Sequence, residues 1–90
     1  MSRRMRVTSL LAYSQLKPKL GVRQREVFYT IDNARFPLTD REVARELGYS
    51  DPNRVRPRRN ELARLGLVVE AGRRVCSVSG KLALTWKARA

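Results

Sequence analysis

Residues 37–66 read PLTDREVARELGYSDPNRVRPRRNELARLG, and this stretch decides the fold. Thr39 followed by Asp40, Arg41 and Glu42 spells a capping box. The hydroxyl can accept from a first-turn amide while Glu42 reaches back to the cap amide. Val43, Ala44 and Leu47 fall on one face at helical spacing. Gly48 then stops the helix, because glycine takes left-handed backbone without steric cost. Asp51 is placed to cap a second helix, with Pro52 preset for its first position. Val55, Leu62 and Leu65 supply the inward stripe of that helix, and Gly66 ends it. Two short helices, a turn of about four residues and an arginine-rich second helix predict a helix-turn-helix.

Outward from that stretch, the bulk properties narrow the function. Ninety residues make one small domain with a modest core. Twenty Lys and Arg against 8 Asp and Glu give a formal charge of +12, and the isoelectric point is about 11.4. Such a balance points to a polyanion. A membrane fits poorly, since no apolar run approaches the roughly 18 residues of a spanning helix. The N-terminal stretch MSRRMRVTSLLAYSQ is basic, but Tyr13, Ser14 and Gln15 break its apolar run before a secretory signal can form. The lone cysteine, Cys76, excludes an internal disulfide and suits a reducing cytoplasm. With no histidine and no cysteine pair, ordinary zinc sites cannot be built, and no cofactor is expected.

N-terminal to the helix-turn-helix, residues 1–7 form a flexible basic arm, read either as a solvated terminus or as a strap along phosphates or in a minor groove. Residues 8–90 form the domain. Thr8 or Ser9 caps a short extra helix through Leu10, Leu11, Tyr13 and Leu16, which Lys17-Pro18-Lys19 ends. From Val22 to about Ala34 the stripe Val27, Phe28, Ile31 and Ala34 predicts a scaffold helix, with Arg23, Arg25, Glu26, Asp32 and Asn33 facing water. The aromatics Phe28, Tyr29 and Phe36 read as core and hinge packing rather than base-stacking platforms.

After Gly66 the grammar changes. Leu67, Val68 and Val69 are β-prone, residues 70–74 loosen the pattern, and Val75 to Val78 resume a strand. Ser79-Gly80 is a turn pair. Leu82, Leu84 and Trp86 then alternate on one face, with Trp86 as the anchor. The fold class expected is α+β, mainly α: a winged helix-turn-helix of three core helices plus a C-terminal β-hairpin wing, with the short extra N-terminal helix.

Candidate contacts follow from the second helix, about residues 52–65. Between Asn53 and Arg64 stand five arginines and one acid, Glu61. On a helical wheel Asn53, Arg56, Pro57, Asn60 and Arg64 oppose Val55 and Leu62, with Arg54 at the border. A helix in the major groove offers its outer face to base edges, where arginine pairs with guanine and asparagine bidentately with adenine. Asn53, Arg54, Arg56 and Asn60 are therefore the base-reading candidates, and Arg64 the phosphate candidate further along. Arg58, nearer the inward face, either meets phosphate or pairs with Glu42 or Glu46. Arg59 falls inward, its stem packed and its head snorkelling out. Pro57 either kinks the helix or marks the point before which residues 52–56 form a separate turn. Arg73, Arg74 and Lys81 flank a wing of about residues 72–81 and suit phosphate contact. Thr39, Tyr49 and Ser50 sit at helix starts, where they either cap or hold a phosphate. Cys76 reads as a small buried hydrophobe in preference to a redox thiol.

NRVRPRRNELARLGLVVEAGRRVCSVSGKLALTW, residues 53–86, resembles a winged-helix family abundant in bacteriophages and prophages. The likeness rests on Asn53, Val55, Pro57, Arg58, Asn60, Glu61 and Leu62, then Gly66-Leu67-Val68. It continues through Gly72, Arg74 and Cys76 to Ser79-Gly80 and Trp86. Ser9-Leu10, Ala12-Tyr13 and Arg23-Gln24-Arg25 extend it over roughly residues 8–87. The resemblance implies that Pro57 is tolerated in the second helix. Arg54 stands where serine is usual and Arg59 where an apolar residue is usual, so this helix is more basic than the pattern.

The leading expectation is a non-enzymatic, sequence-specific double-stranded DNA-binding protein. It would be a small phage or mobile-element transcriptional regulator, located in the cytoplasm of a bacterial or phage-infected host cell. The second helix would enter the major groove and the wing would lie on the flanking backbone. The competing expectation is a structural or assembly module of a replication or packaging complex with general nucleic-acid affinity. RNA binding lacks a stacking platform. An enzyme lacks a histidine, a phosphate loop and any paired carboxylates that escape a capping explanation. No small-molecule substrate is evident. The sequence leaves monomer and homodimer open, with the N-terminal helix as the interface candidate.

Overall fold

A computed structural model of the chain describes residues 20–89; the expected basic arm and first short helix lie outside the described residues. The elements in chain order are α1 (Val22–Asn33), α2 (Asp40–Leu47), a 3-10 turn (Pro52–Arg54), α3 (Arg56–Arg64), β1 (Val68–Val75) and β2 (Leu82–Ala88). Three helices and one antiparallel hairpin make an α+β, mainly helical unit, compatible with a winged helix.

Local chemistry accounts for the helices. The Gly21 amide donates to Gln24 Oε1 at 2.8 Å and opens α1. The capping box of α2 forms as read: Glu42 N donates to Thr39 Oγ1 at 3.2 Å, and Thr39 N donates to Glu42 Oε1 at 2.9 Å. Gly48, at φ 81°, ends α2, and Tyr49 N reaches back to the Ala44 carbonyl at 2.8 Å. Asp51 Oδ1 does accept from Asn53 N, at 2.9 Å, but it starts only the 3-10 turn. Regular helix begins at Arg56. Pro57 thus sits in the first turn of α3, where its missing amide costs nothing, and the separate-turn reading of residues 52–56 is the one the chain adopts. The helix runs 56–64 rather than 52–65.

The three helices converge on one core. Val27, Phe28 and Val43 are fully buried, as are Val55 and Leu62 on the far side, and Val68 and Ala88 close its base. Four sequence expectations fail here. Tyr29, next to Phe28 on α1 but turned off its buried stripe, is 41% exposed instead of packed in the core. Asp32 is fully buried instead of facing water. It stands four residues after Phe28, so the buried face of α1 is wider than its apolar stripe. Leu65 is 46% exposed because it lies at the C-cap, where the backbone turns away from the core. Phe36 is 60% exposed, outside the core, with the Arg74 guanidinium 5.4 Å from its ring centroid.

The hairpin also departs from its reading. β1 runs unbroken through the stretch expected to loosen. A bulge between Glu70 and Arg73 absorbs one residue, with Gly72 at φ 90° and its carbonyl accepting from Thr85 Oγ1 at 3.0 Å. Pairing then continues to Val75↔Leu82. The wing tip is therefore residues 76–81, closed by Cys76 N to Lys81 O and Gly80 N to Cys76 O, each 2.8 Å. Thr85 and Ala88 are the buried residues of β2, whereas Leu82 is 64% exposed. Leu82 sits beside the tip, beyond the end of the core. On its other edge β2 bridges Leu38 through Leu38 N to Trp86 O (3.1 Å) and Trp86 N to Leu38 O (2.8 Å). That bridge fixes the hairpin to the start of α2.

Candidate nucleic-acid interface

Two ion pairs, the first buried on both sides and the second on the side of its carboxylate, join α3 and the wing to α2. The first joins α3 to α2. Arg59 is 8% exposed, and its Nε and Nη2 donate to the two Asp40 oxygens at 2.9 and 2.8 Å. Its guanidinium carbon lies 4.0 Å from the Trp86 ring centroid. The head does not snorkel to solvent as expected. A bidentate carboxylate and an aromatic face together stand in for water.

The second pair joins the wing to α2. Glu42 is buried, and its carboxylate accepts from Arg74 Nη1 at 2.7 Å and also from Arg74 Nη2. Ser77 N and Oγ donate to it at 2.9 and 2.8 Å. Burial pushes the Glu42 carboxyl up, but the Arg74, Ser77 and Thr39 hydrogen bonds outweigh it and hold the pKa at about 2. The same contact raises Arg74 above its ordinary value. Cys76 Sγ lies 3.0 Å from Thr39 Oγ1 and is 1% exposed, in keeping with a small buried side chain.

These pairs revise the list of phosphate candidates. Thr39 is 1% exposed, and its hydroxyl is taken by the Glu42 amide and Cys76, so capping is its role. Arg74 is engaged by Glu42 and by the Pro37 carbonyl at 2.8 Å. Arg58 pairs with neither Glu42 nor Glu46 but with Glu61 on its own helix, at 3.0 Å. Tyr49 donates from its hydroxyl to Glu26 at 2.9 Å, which raises its phenol, and carries the Arg54 and Arg23 guanidinium groups over its ring at 4.6 and 5.2 Å. Ser50 and Arg64 are exposed. Arg73 is exposed too, but it lines a groove with Phe36 and Ala71 rather than facing α3.

The four base-reading candidates, Asn53, Arg54, Arg56 and Asn60, all lie exposed. They are not independent. Arg56 Nη1 donates to Asn53 Oδ1 at 2.8 Å, and its Nε lies 3.6 Å from Asp40 Oδ2. Between the start of α3 and the wing opens a cleft of about 540 Å³, and Arg56, Arg41, Lys81 and Leu82 stand around it. The chain matches no family model, no curated protein and no solved structure. The geometry of this cleft and of the α3 face therefore carries the functional reading.

Sequence reasoning missed Arg41 and Arg45. Both are exposed on α2, four residues apart and so on one helical face, and Arg45 Nη2 donates to Ser77 Oγ at 3.2 Å. Their spacing opposite Val43 and Ala44 was the available signal. Among the described residues no helix is long and apolar enough to cross a membrane.

Proposed function

We propose that this chain is a non-enzymatic, sequence-reading double-stranded DNA-binding protein of the winged helix-turn-helix type. Its role would be that of a small phage or mobile-element transcriptional regulator. α3 lies in the major groove and presents Arg56 and Asn60 to base edges, the 3-10 turn before it adds Asn53 and Arg54, and Arg64 lies on a phosphate. Lys81 at the wing tip and Arg41 on α2 meet the flanking backbone, which gives affinity and register more than sequence choice.

One observation supports this reading above the others: how the acids near α3 are disposed of. Asp40 is held by Arg59, Glu42 by Arg74 and Glu61 by Arg58. Arg41, Arg56 and Lys81 meanwhile converge on one cleft beside the helix. The ion pairs occupy these three acids and leave Arg41, Arg56 and Lys81 exposed around the cleft, as a phosphate partner requires.

A second reading, an assembly module acting through protein contacts, is favoured by the exposed Phe36 beside an apolar groove of about 640 Å³. Fluorescence anisotropy separates the two. A duplex from upstream of the protein's own gene and its shuffled version are titrated at two salt concentrations. A preference for the upstream duplex that persists at the higher salt supports a regulator. Equal binding that collapses with salt reduces the cluster to a phosphate grip and moves the assembly module ahead.

A further inference from the structure

Asn53 on the 3-10 turn and Asn60 on α3 both have their side-chain oxygen bound by an arginine. Arg56 Nη1 donates to Asn53 Oδ1 at 2.8 Å, and Arg59 Nη1 donates to Asn60 Oδ1 at 2.6 Å. Neither asparagine NH2 group makes a hydrogen bond among the described residues. Arginine has no acceptor at all. The nearby carboxylates are turned to other partners: Asp40 to Arg59 and Arg56, Glu61 to Arg58 and Gln24, and Asp51 to the Asn53 amide. What remains along Asn53, Arg54, Arg56, Asn60 and Arg64 is a row in which donors outnumber acceptors, with one lone pair left on each asparagine oxygen.

We infer that the 3-10 turn and α3 read a guanine run: their cationic, donor-rich face selects a tract whose major-groove edge offers guanine O6 and N7, and selects against adenine. The inference rests on the reading of α3 as the groove-entering helix. In the major groove guanine presents two adjacent acceptors, whereas adenine and cytosine each present an exocyclic amino donor. An asparagine that pairs with adenine must accept from N6 while it donates to N7. In Asn53 and Asn60 one lone pair of that oxygen already accepts from a guanidinium, so an adenine amino group approaching the other meets positive charge. The NH2 group and the neighbouring arginines still fit guanine. Arg59 is the positioning residue here. Anchored by Asp40 and Trp86, it reaches no base itself but fixes which edge Asn60 shows.

The test is competition anisotropy with the full chain at one salt concentration. Unlabelled duplexes carrying a guanine run, an adenine run or a mixed sequence displace a labelled duplex. A fourth competitor carries 7-deazaguanine in the run, which keeps Watson–Crick pairing and O6 but lacks N7. The guanine run is expected to compete best, and each deaza substitution at a contacted position to weaken it about five- to 150-fold. Asn60→Asp keeps an acceptor for Arg59 and so keeps the fold, and is expected to lose the preference for guanine. Best competition by the adenine run, or indifference to 7-deazaguanine, overturns the inference while sequence-reading DNA binding stands. Equal competition by every duplex overturns both.

Discussion

Arg59 donates to both carboxylate oxygens of Asp40, tying the second helix of the pair to the first turn of the helix before it. The contact is about nine-tenths buried on both sides. Its worth lies in the penalty for breaking it, since one partner without the other is an uncompensated charge in the interior. The same carboxylate steadies Arg56, so one anchor sets the geometry of two arginines on α3.

Asp40→Asn is accordingly expected to lower stability by about 3 kcal/mol. Urea unfolding followed by Trp86 fluorescence checks this, because the Arg59 guanidinium rests on that ring. A loss below about 1 kcal/mol, the scale of an exposed ion pair, contradicts a buried anchor.

Acid should loosen the wing. The Glu42 carboxyl titrates at about 2 in the fold against an ordinary 4.5. The unfolded chain therefore binds the proton more readily, and the stabilisation is complete above about pH 4.5 and lost as pH falls towards 2. The difference corresponds to about 3 kcal/mol. Thermal unfolding of the wild type and Glu42→Gln between pH 2 and pH 7 reads it out. The variant should be less stable at pH 7, with a flatter profile over the acid range. Arg74→Ala should destabilise in the same way at neutral pH, since it leaves Glu42 buried without its cation.

Gly48→Ala isolates a backbone effect. Nothing lies within 4 Å of the position its Cβ would take, yet φ is 81°. The cost should be about 1 kcal/mol, from left-handed backbone alone. Chemical denaturation measures it, with DNA affinity at saturating fold unchanged.

Cations on the two sides of the cleft should separate by what they do to binding. Lys81→Ala and Arg41→Ala are expected to weaken all duplexes alike and to flatten the salt dependence by about one unit of slope each. Arg56→Ala is expected to cost about 1–3 kcal/mol on the preferred duplex and much less on a shuffled one. Anisotropy titrations across several salt concentrations resolve the two classes.

Much of the described fold was legible because its cues are local. The Thr39–Glu42 capping box, the Gly48 stop and the Val27, Phe28, Ile31 stripe depend on residues a turn apart, and periodicity exposes such relations directly. The start of α3 was legible only as a choice, since Pro52 and Pro57 are both good first-turn residues. Burial of Val55 between them selects the turn-then-helix arrangement. The candidate interface was read less well. A count of cations could not separate Arg56 and Lys81, which are exposed beside the cleft, from Arg59, which is buried, and Arg74, which is bound by Glu42. All four carry positive charge, and they differ in how closely folding holds each against a carboxylate.

By itself the sequence determined the limits of α2 at its Thr39 and Gly48 caps, the hairpin after Gly66 and the strongly positive charge, all matters of short-range sterics and composition. Only the tertiary structure decided which cations are left for a partner. Folding brings Asp40 to Arg59 and Glu42 to Arg74 across long stretches of chain. Ion pairing and hydrogen bonding act through distance in space, and it is the packed core that sets those distances.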